Sequence, residues 1–166
     1  MRRQFGRLFG NPLSAVGLTL SAAFVLMAIA APLLAPHDPL AMDPSKRLAA
    51  PSALHWFGTD DGGRDILARV IYGTRSSLLT ALGILSLASV IGTSIGLAAG
   101  YFGGWVDETL MRITDMFLAF PALVLAMGLA AALGPSLFNA MLATAVVWWP
   151  WYARLVRGQA LHLKNE

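Results

Sequence analysis

Three stretches of this chain carry no charged side chain at all: residues 8–36, 76–106 and 116–153. A helix rising ~1.5 Å per residue needs about 20 apolar residues to cross the hydrocarbon core of a bilayer. The first two stretches each hold one span, and the third has room for two. Gly134-Pro135 lies near the middle of the third, and a Gly-Pro pair breaks a helix and favours a turn, so that stretch reads as a helical hairpin. The expectation is an all-α, polytopic transmembrane helical bundle of about four spanning helices. Composition agrees, because 57% of residues are apolar and 13% charged, where soluble domains carry roughly 25% charged residues. A soluble enzyme is excluded.

Charge sets the expected topology. Residues 1–12 carry Arg2, Arg3 and Arg7 and no acid, which marks a cytoplasmic tail ahead of a first transmembrane helix over 13–35. A cleaved signal peptide competes, since Ala28-Ile29-Ala30 mimics a cleavage site. The apolar segment is longer than the ~7–15 residues of a signal core, and further membrane segments follow it. Residues 36–75 form a polar, extracytoplasmic loop. Pro36, Pro39, Pro44 and Pro51 keep its first half extended. Its second half reads as a short amphipathic helix from about Arg64, with Ile66, Leu67, Val70 and Ile71 on one face and Asp65 and Arg69 one turn apart, suited to lie along the membrane surface.

Residues 76–166 are expected to hold three spans and a cytoplasmic tail. The second span, about 78–101, ends at the Gly103-Gly104 turn. Asp107 and Glu108 then complement the start of a third helix, Glu108 can pair with Arg112, and Pro121 bends that helix. The fourth, about 136–152, finishes with Trp148, Trp149, Trp151 and Tyr152 before Arg154 and Arg157. An aromatic belt followed by basic residues is a cytoplasmic exit.

Few constellations suggest chemistry. Ala88, Gly92, Gly96 and Gly100 recur every four residues and put a stripe of small side chains on one helix face, suited either to static packing or to a moving, path-lining interface. The segment from Phe57 to Asp65 is acidic and glycine-rich, but its spacing fails a calcium loop, since counting from Asp60 places Ile71 where a bidentate Glu is needed. A tight turn in which Thr59, Asp60 or Asp61 caps the following helix accounts for it better. Asp107, Glu108, Arg112 and Asp115 sit at a membrane edge, where helix-end electrostatics explain them. His37, His55 and His162 lack ligand-like spacing, so no metal site is suggested, and no residue is a candidate for catalysis or cofactor binding. The chain has no cysteine, which removes disulfides and thiolate sites. Neither a phosphate-binding loop nor a hydrolase motif is present. The net charge of +3 comes largely from span ends rather than from a basic face, which argues against nucleic acid. These features fit a transporter subunit, a channel subunit or a membrane scaffold, and physical reasoning alone does not choose among them.

The motifs do choose. Asn11-Pro12-Leu13, the Leu33-Leu34-Ala35-Pro36-His37-Asp38-Pro39 exit, His55-Trp56-Phe57-Gly58-Thr59-Asp60, the run from Gly63-Arg64-Asp65 to Tyr72-Gly73, Gly100-Tyr101-Phe102-Gly103-Gly104-Trp105-Val106-Asp107 and Ala119-Phe120-Pro121 together resemble the second permease subunit of bacterial ABC importers of the dipeptide/oligopeptide/nickel type. Arg154-Leu155-Val156-Arg157-Gly158-Gln159 continues the likeness. The resemblance implies a multi-pass protein of the bacterial inner membrane, in contact with lipid. Its implied partners are a related permease subunit, two cytoplasmic ATPase subunits that bind the ATP, and an extracytoplasmic substrate-binding protein. It also implies that the family continues beyond Glu166 into a Glu-Ala-Ala coupling loop, so a truncated, defective remnant or a non-transporting scaffold stands as the alternative expectation.

Overall fold

A computed structural model describes residues 12–164, and Arg2, Arg3 and Arg7 lie outside the described residues. Five α-helices are present among them: α1 Pro12–Leu34, α2 Ile66–Phe102, α3 Gly104–Ala119, α4 Ala122–Leu133 and α5 Leu137–Lys164. No β-strand occurs there, only an isolated bridge between Thr59 and Asp65. The chain divides into two compact units, Met1–Leu79 and Thr80–Glu166.

In the first unit α1 is apolar around its whole circumference. Leu13, Leu20, Leu26, Ile29 and Leu33 are all exposed, and only Ala28 and Ala31 are buried. A helix without a polar face has no use for water on any side and belongs in lipid. The loop that follows is extended and turning, with one short 3-10 turn at Pro44–Lys46. Asp43 caps that turn by accepting from the Ser45 amide at 3.1 Å.

The expected short amphipathic helix does not exist as a separate element. Its residues are the first turns of α2, which runs unbroken for 37 residues, about 55 Å at the usual rise. The reason is local. Gly73 costs a helix only about 1 kcal/mol relative to Ala and does not end it. No proline lies between Ile66 and Phe102, and the Thr74 hydroxyl stays inside the helix by donating to the Ile71 carbonyl at 2.6 Å.

The second unit is built on α5. Gly103 (φ 65°) and Gly104 (φ 53°) turn the chain sharply out of α2. α3 stops at Ala119, Phe120 is extended with φ −82° and ψ 141°, and Pro121 starts α4. A residue before proline is pushed out of the helical region. The consequence here exceeds the expected bend, for α3 and α4 meet at 90°. Gly134 (φ 91°) closes α4 and leads into α5, and Asn139 donates from Nδ2 to the Leu133 and Gly134 carbonyls at 2.7 and 3.1 Å, so the tight α4–α5 connection is satisfied.

Among the described residues α1 and α2 are long and apolar enough to cross a membrane, and the bent α3–α4 pair brings the number to three if it is one crossing. The segment expected as a fourth span is the first part of α5, where Asn139, Thr144, Pro150 and three tryptophans dilute the aliphatic content. Its buried face is small and aromatic: Ala143, Ala145, Val147, Trp149, Pro150 and Ala153.

Candidate functional site

The Phe57–Asp65 segment is a backbone knot. Gly58 and Gly63 both have φ of 74°, and a side chain at either would collide with a neighbouring carbonyl, that of Ala49 or of Asp43. Only glycine satisfies both the dihedral and the close approach. Thr59 donates its hydroxyl to the Lys46 carbonyl and accepts from the Ala49 amide at 2.8 Å. Asp60 is the hub of the turn. Its Oδ1 accepts from the Gly62 and Arg64 amides at 2.8 and 3.0 Å, and its Oδ2 from Arg64 Nε at 2.9 Å and from Arg69 Nη1. Burial acts to raise the Asp60 carboxyl, but the Arg64 and Gly62 amides and the Arg64 guanidinium outweigh it and bring it down to about 2.

The residue that caps α2 is Asp65, not Thr59, Asp60 or Asp61. Its Oδ1 accepts from the Ala68 amide at 2.7 Å, which satisfies one of the free donors at a helix start. The i,i+4 partnership of Asp65 with Arg69 is not made, because Arg69 turns back to Asp60. Asp65 Oδ2 instead receives His55 Nδ1 at 2.8 Å, and His37 Nδ1 lies 3.4 Å away. Burial pushes this carboxyl up, yet the Ala68 amide, the His55 ring and the charges of His37 and His55 together hold it below the usual carboxylate range. Sequence spacing gave no sign of this trio, which is drawn from three separate parts of the unit.

In the second unit the small-residue stripe faces α5. Ala88 is fully buried. A Cβ on Gly92 would strike Tyr152 and come within 2.5 Å of the Trp149 carbonyl. One on Gly96 would sit 2.5 Å from the Ala153 carbonyl, and one on Gly100 2.6 Å from Ala160 Cβ. Contacts closer than 3.0 Å require the two backbones to separate. As the stripe advances from 92 to 100 its partners advance from 149 to 160, so the two helices run parallel, in register turn by turn.

α3 is fastened to the same helix by charge. Arg157 donates to Asp107 through Nε at 2.5 Å and Nη2 at 2.6 Å, and Arg154 donates to Asp115 Oδ1 at 2.5 Å. Glu108 pairs with Arg112 at 2.8 Å on the exposed side of α3. Thr114, fully buried, and an edge-on contact of Phe117 with Trp149 fill the space between. Lys164 donates to the Tyr101 carbonyl at 2.9 Å, one of the free acceptors at the end of α2. Asp107, Gly103, Arg157 and Lys164 thus gather at one end of the unit. Pro121 lies away from them at the α3–α4 break.

Two family models match this chain. Residues 92–166 match the binding-protein-dependent transport system inner membrane component, and residues 1–51 match the N-terminal TM domain of oligopeptide transport permease C. Among curated proteins, a probable D,D-dipeptide transport system permease protein of Escherichia coli K12 is 51% identical over 95% of this chain and 53% of its own length. A dipeptide transport system permease protein of Alkalihalophilus pseudofirmus is 47% identical over 99% of the chain and 54% of its own. A nickel transport system permease protein of E. coli K12 is 40% identical over 91% and 54%. The chain spans about half the length of the curated relatives it matches. It is a multi-pass membrane protein, and it belongs to the inner membrane components of binding-protein-dependent transport systems, in the C-type branch of the dipeptide, oligopeptide and nickel permeases.

Proposed function

We propose that this chain serves as a membrane-spanning permease subunit of an ATP-driven importer and forms part of the translocation path for peptides or a related small solute. The observation that carries the reading is the 51% identity to a dipeptide permease along 95% of the chain. The partners we infer are a related permease subunit, two cytoplasmic ATPase subunits that bind the ATP, and an extracytoplasmic substrate-binding protein. The chain itself is not an enzyme in this reading and binds no cofactor, and its motion is driven from outside by the ATPases. It sits in the bacterial inner membrane with its N-terminus and the Arg154–Lys164 end of α5 in the cytoplasm, and with residues 36–75 outside. The parallel packing of the Gly92–Gly100 stripe on α5 supports a role for that interface in transport, since two helices in backbone contact can slide or rock as one rigid pair.

The test is co-purification from membranes of a bacterium expressing the remaining components of a dipeptide importer, with an affinity tag on this chain. Retrieval of the related permease and the ATPase subunits is the expected result. A tagged chain that inserts in the membrane yet brings down neither would overturn the assignment.

A further inference from the structure

We propose that His37, His55 and Asp65 form a binding site for a divalent transition-metal cation of the zinc class, which clips the end of α1, the loop and the start of α2 together. Each of the three residues offers one ligand atom, and all three atoms lie within 4.8 Å of one another. His37 Nδ1 and His55 Nδ1 both face the same oxygen of Asp65, at 3.4 and 2.8 Å. Donors bound to one tetrahedral ion at ~2.0–2.2 Å stand about 3.3–3.5 Å apart, so the cluster is already close to the size an ion demands.

A second observation points to a ligand. Asp65 and His55 are at least nine-tenths buried in their side chains, and two ring nitrogens, His37 Nδ1 and His55 Nε2, are buried with no hydrogen-bond partner in the structure. A neutral imidazole carries one N–H and one lone pair, and the two rings approach to 4.9 Å between centroids. Two such rings crowded on one carboxylate leave lone pairs or N–H groups that the protein does not satisfy, and burial makes that unfavourable. An ion that takes Nδ1 of both rings gives His37 Nδ1 the partner it lacks and fixes the proton of His55 on Nε2. Asp65 is held for the purpose by its other oxygen, which is fixed by the Ala68 amide. Two imidazoles and one carboxylate select a borderline metal such as Zn²⁺ over Ca²⁺ or Mg²⁺, which prefer oxygen. The side chain of His37 is 32% exposed and lines an open cleft of about 540 Å³ together with Pro36, Asp38 and Tyr72. That opening leaves a fourth position for water or another small ligand. The site does not depend on the transport reading.

The test uses the full chain purified in detergent without a polyhistidine tag and stripped with a chelator. Zn²⁺ is titrated against a chromophoric competitor, and Co²⁺ is followed by its visible absorption. One Zn²⁺ per chain is expected, with binding weakened by about tenfold or more in His37→Gln and in His55→Ala, and a Co²⁺ spectrum that both substitutions abolish. His162→Gln should bind as the parent does. His37→Gln keeps the test sound if His55→Ala unfolds the loop, because His37 makes no cap and its side chain is partly in solvent; its circular dichroism should match the parent's. No saturable binding at millimolar Zn²⁺, or binding that His37→Gln and His55→Ala leave unchanged, would overturn the site and leave a hydrogen-bonded trio only.

Discussion

Arg157 clasps Asp107 across fifty residues of sequence, with two hydrogen bonds of 2.5 and 2.6 Å, one to each carboxylate oxygen. The two-pronged geometry suits a planar guanidinium and a carboxylate, and Asp107 is largely shielded, with 17% of its side chain exposed. Shielding reduces screening by salt and by competing water. The pair joins the first turn of α3 to the part of α5 that also receives Gly96 and Gly100, so it fixes the register of three helices at one end of the unit.

Breaking that pair should loosen the unit. Asp107→Asn or Arg157→Gln is expected to cost about 1.5–3 kcal/mol, the range for hydrogen bonds to charged groups, read as a drop in thermal stability in detergent. The double variant should cost less than the sum of the two singles. Additive losses would mean that the groups do not act on each other.

Gly96→Leu should separate α2 from α5 and lower membrane accumulation and protease resistance. Overpacking of this kind costs about 1–3 kcal/mol or more. Even Gly96→Ala should be felt, because its Cβ would stand 2.5 Å from the Ala153 carbonyl. Val90→Leu, at a position that is 66% exposed, should be harmless. Equal behaviour of Gly96→Leu and Val90→Leu would show that the stripe makes no contact in the membrane.

What could be read in the sequence, and what could not, follows from the range of each interaction. Four small residues at a spacing of four identify a close-packing face, because that pattern is local to one helix. Their partner on α5 lies more than fifty residues away, and nothing in the pattern names it. The polar composition up to Arg75 suggested a boundary before the second span, yet Gly73 alone, without a proline, does not stop a helix whose neighbours on both sides favour it. The cap of α2 was assigned too early, since Asp60 was already committed to the amides and guanidinium of its own turn, which left Asp65 as the cap. His37, His55 and Asp65 are separated by 18 and 10 residues of proline- and glycine-rich loop, and only the folded knot brings them together. The fourth span rests on absence of charge, while tryptophan, tyrosine and proline are uncharged without being strongly apolar, so charge and hydropathy part company in α5 and aliphatic content alone does not mark it as a crossing.

The loop should be acid-sensitive in a defined window. Asp60 has its pKa lowered in the folded state to about 2 from an ordinary value near 3.9, and Asp65 is lowered as well. A depressed folded pKa contributes stability that is present above the unfolded pKa and is lost as pH falls through the folded one. The loop is therefore expected to keep its structure from neutral pH down to about 4 and to lose it between about 4 and 2. The chain has no cysteine, so a fluorophore on Leu54→Cys, at an exposed loop position, reports the change. Asp60→Asn should flatten the response. A transition centred well above pH ~4 would show that these two carboxylates do not govern it.

The parallel course of α2 and α5 makes a prediction about sidedness that charge counting alone does not. Gly92 meets Trp149 and Ala153, Gly96 meets Ala153 and Arg157, and Gly100 meets Ala160, so the end of α2 and the end of α5 lie at the same face of the unit. Lys164 confirms that end by donating to the Tyr101 carbonyl. Two helices can run parallel only if the chain between them returns to the opposite face. The return must be made by α3 and α4, which together offer 28 helical residues, about 42 Å of path at the usual rise. Asp107 near Arg157 and Asn139 near Leu133 fasten the two ends of that return to opposite ends of α5. The bent pair is therefore expected to act as one crossing despite its 90° break, with the turn at Gly134 on the side opposite Gly103. Single cysteines at Trp105, Ser136 and Leu163, all exposed, test this with a membrane-impermeant maleimide. In intact spheroplasts Ser136→Cys should be labelled while Trp105→Cys and Leu163→Cys should be protected until the membrane is opened. Labelling of Trp105→Cys together with Ser136→Cys from the outside would make α3 and α4 a re-entrant loop and remove one crossing from the bundle.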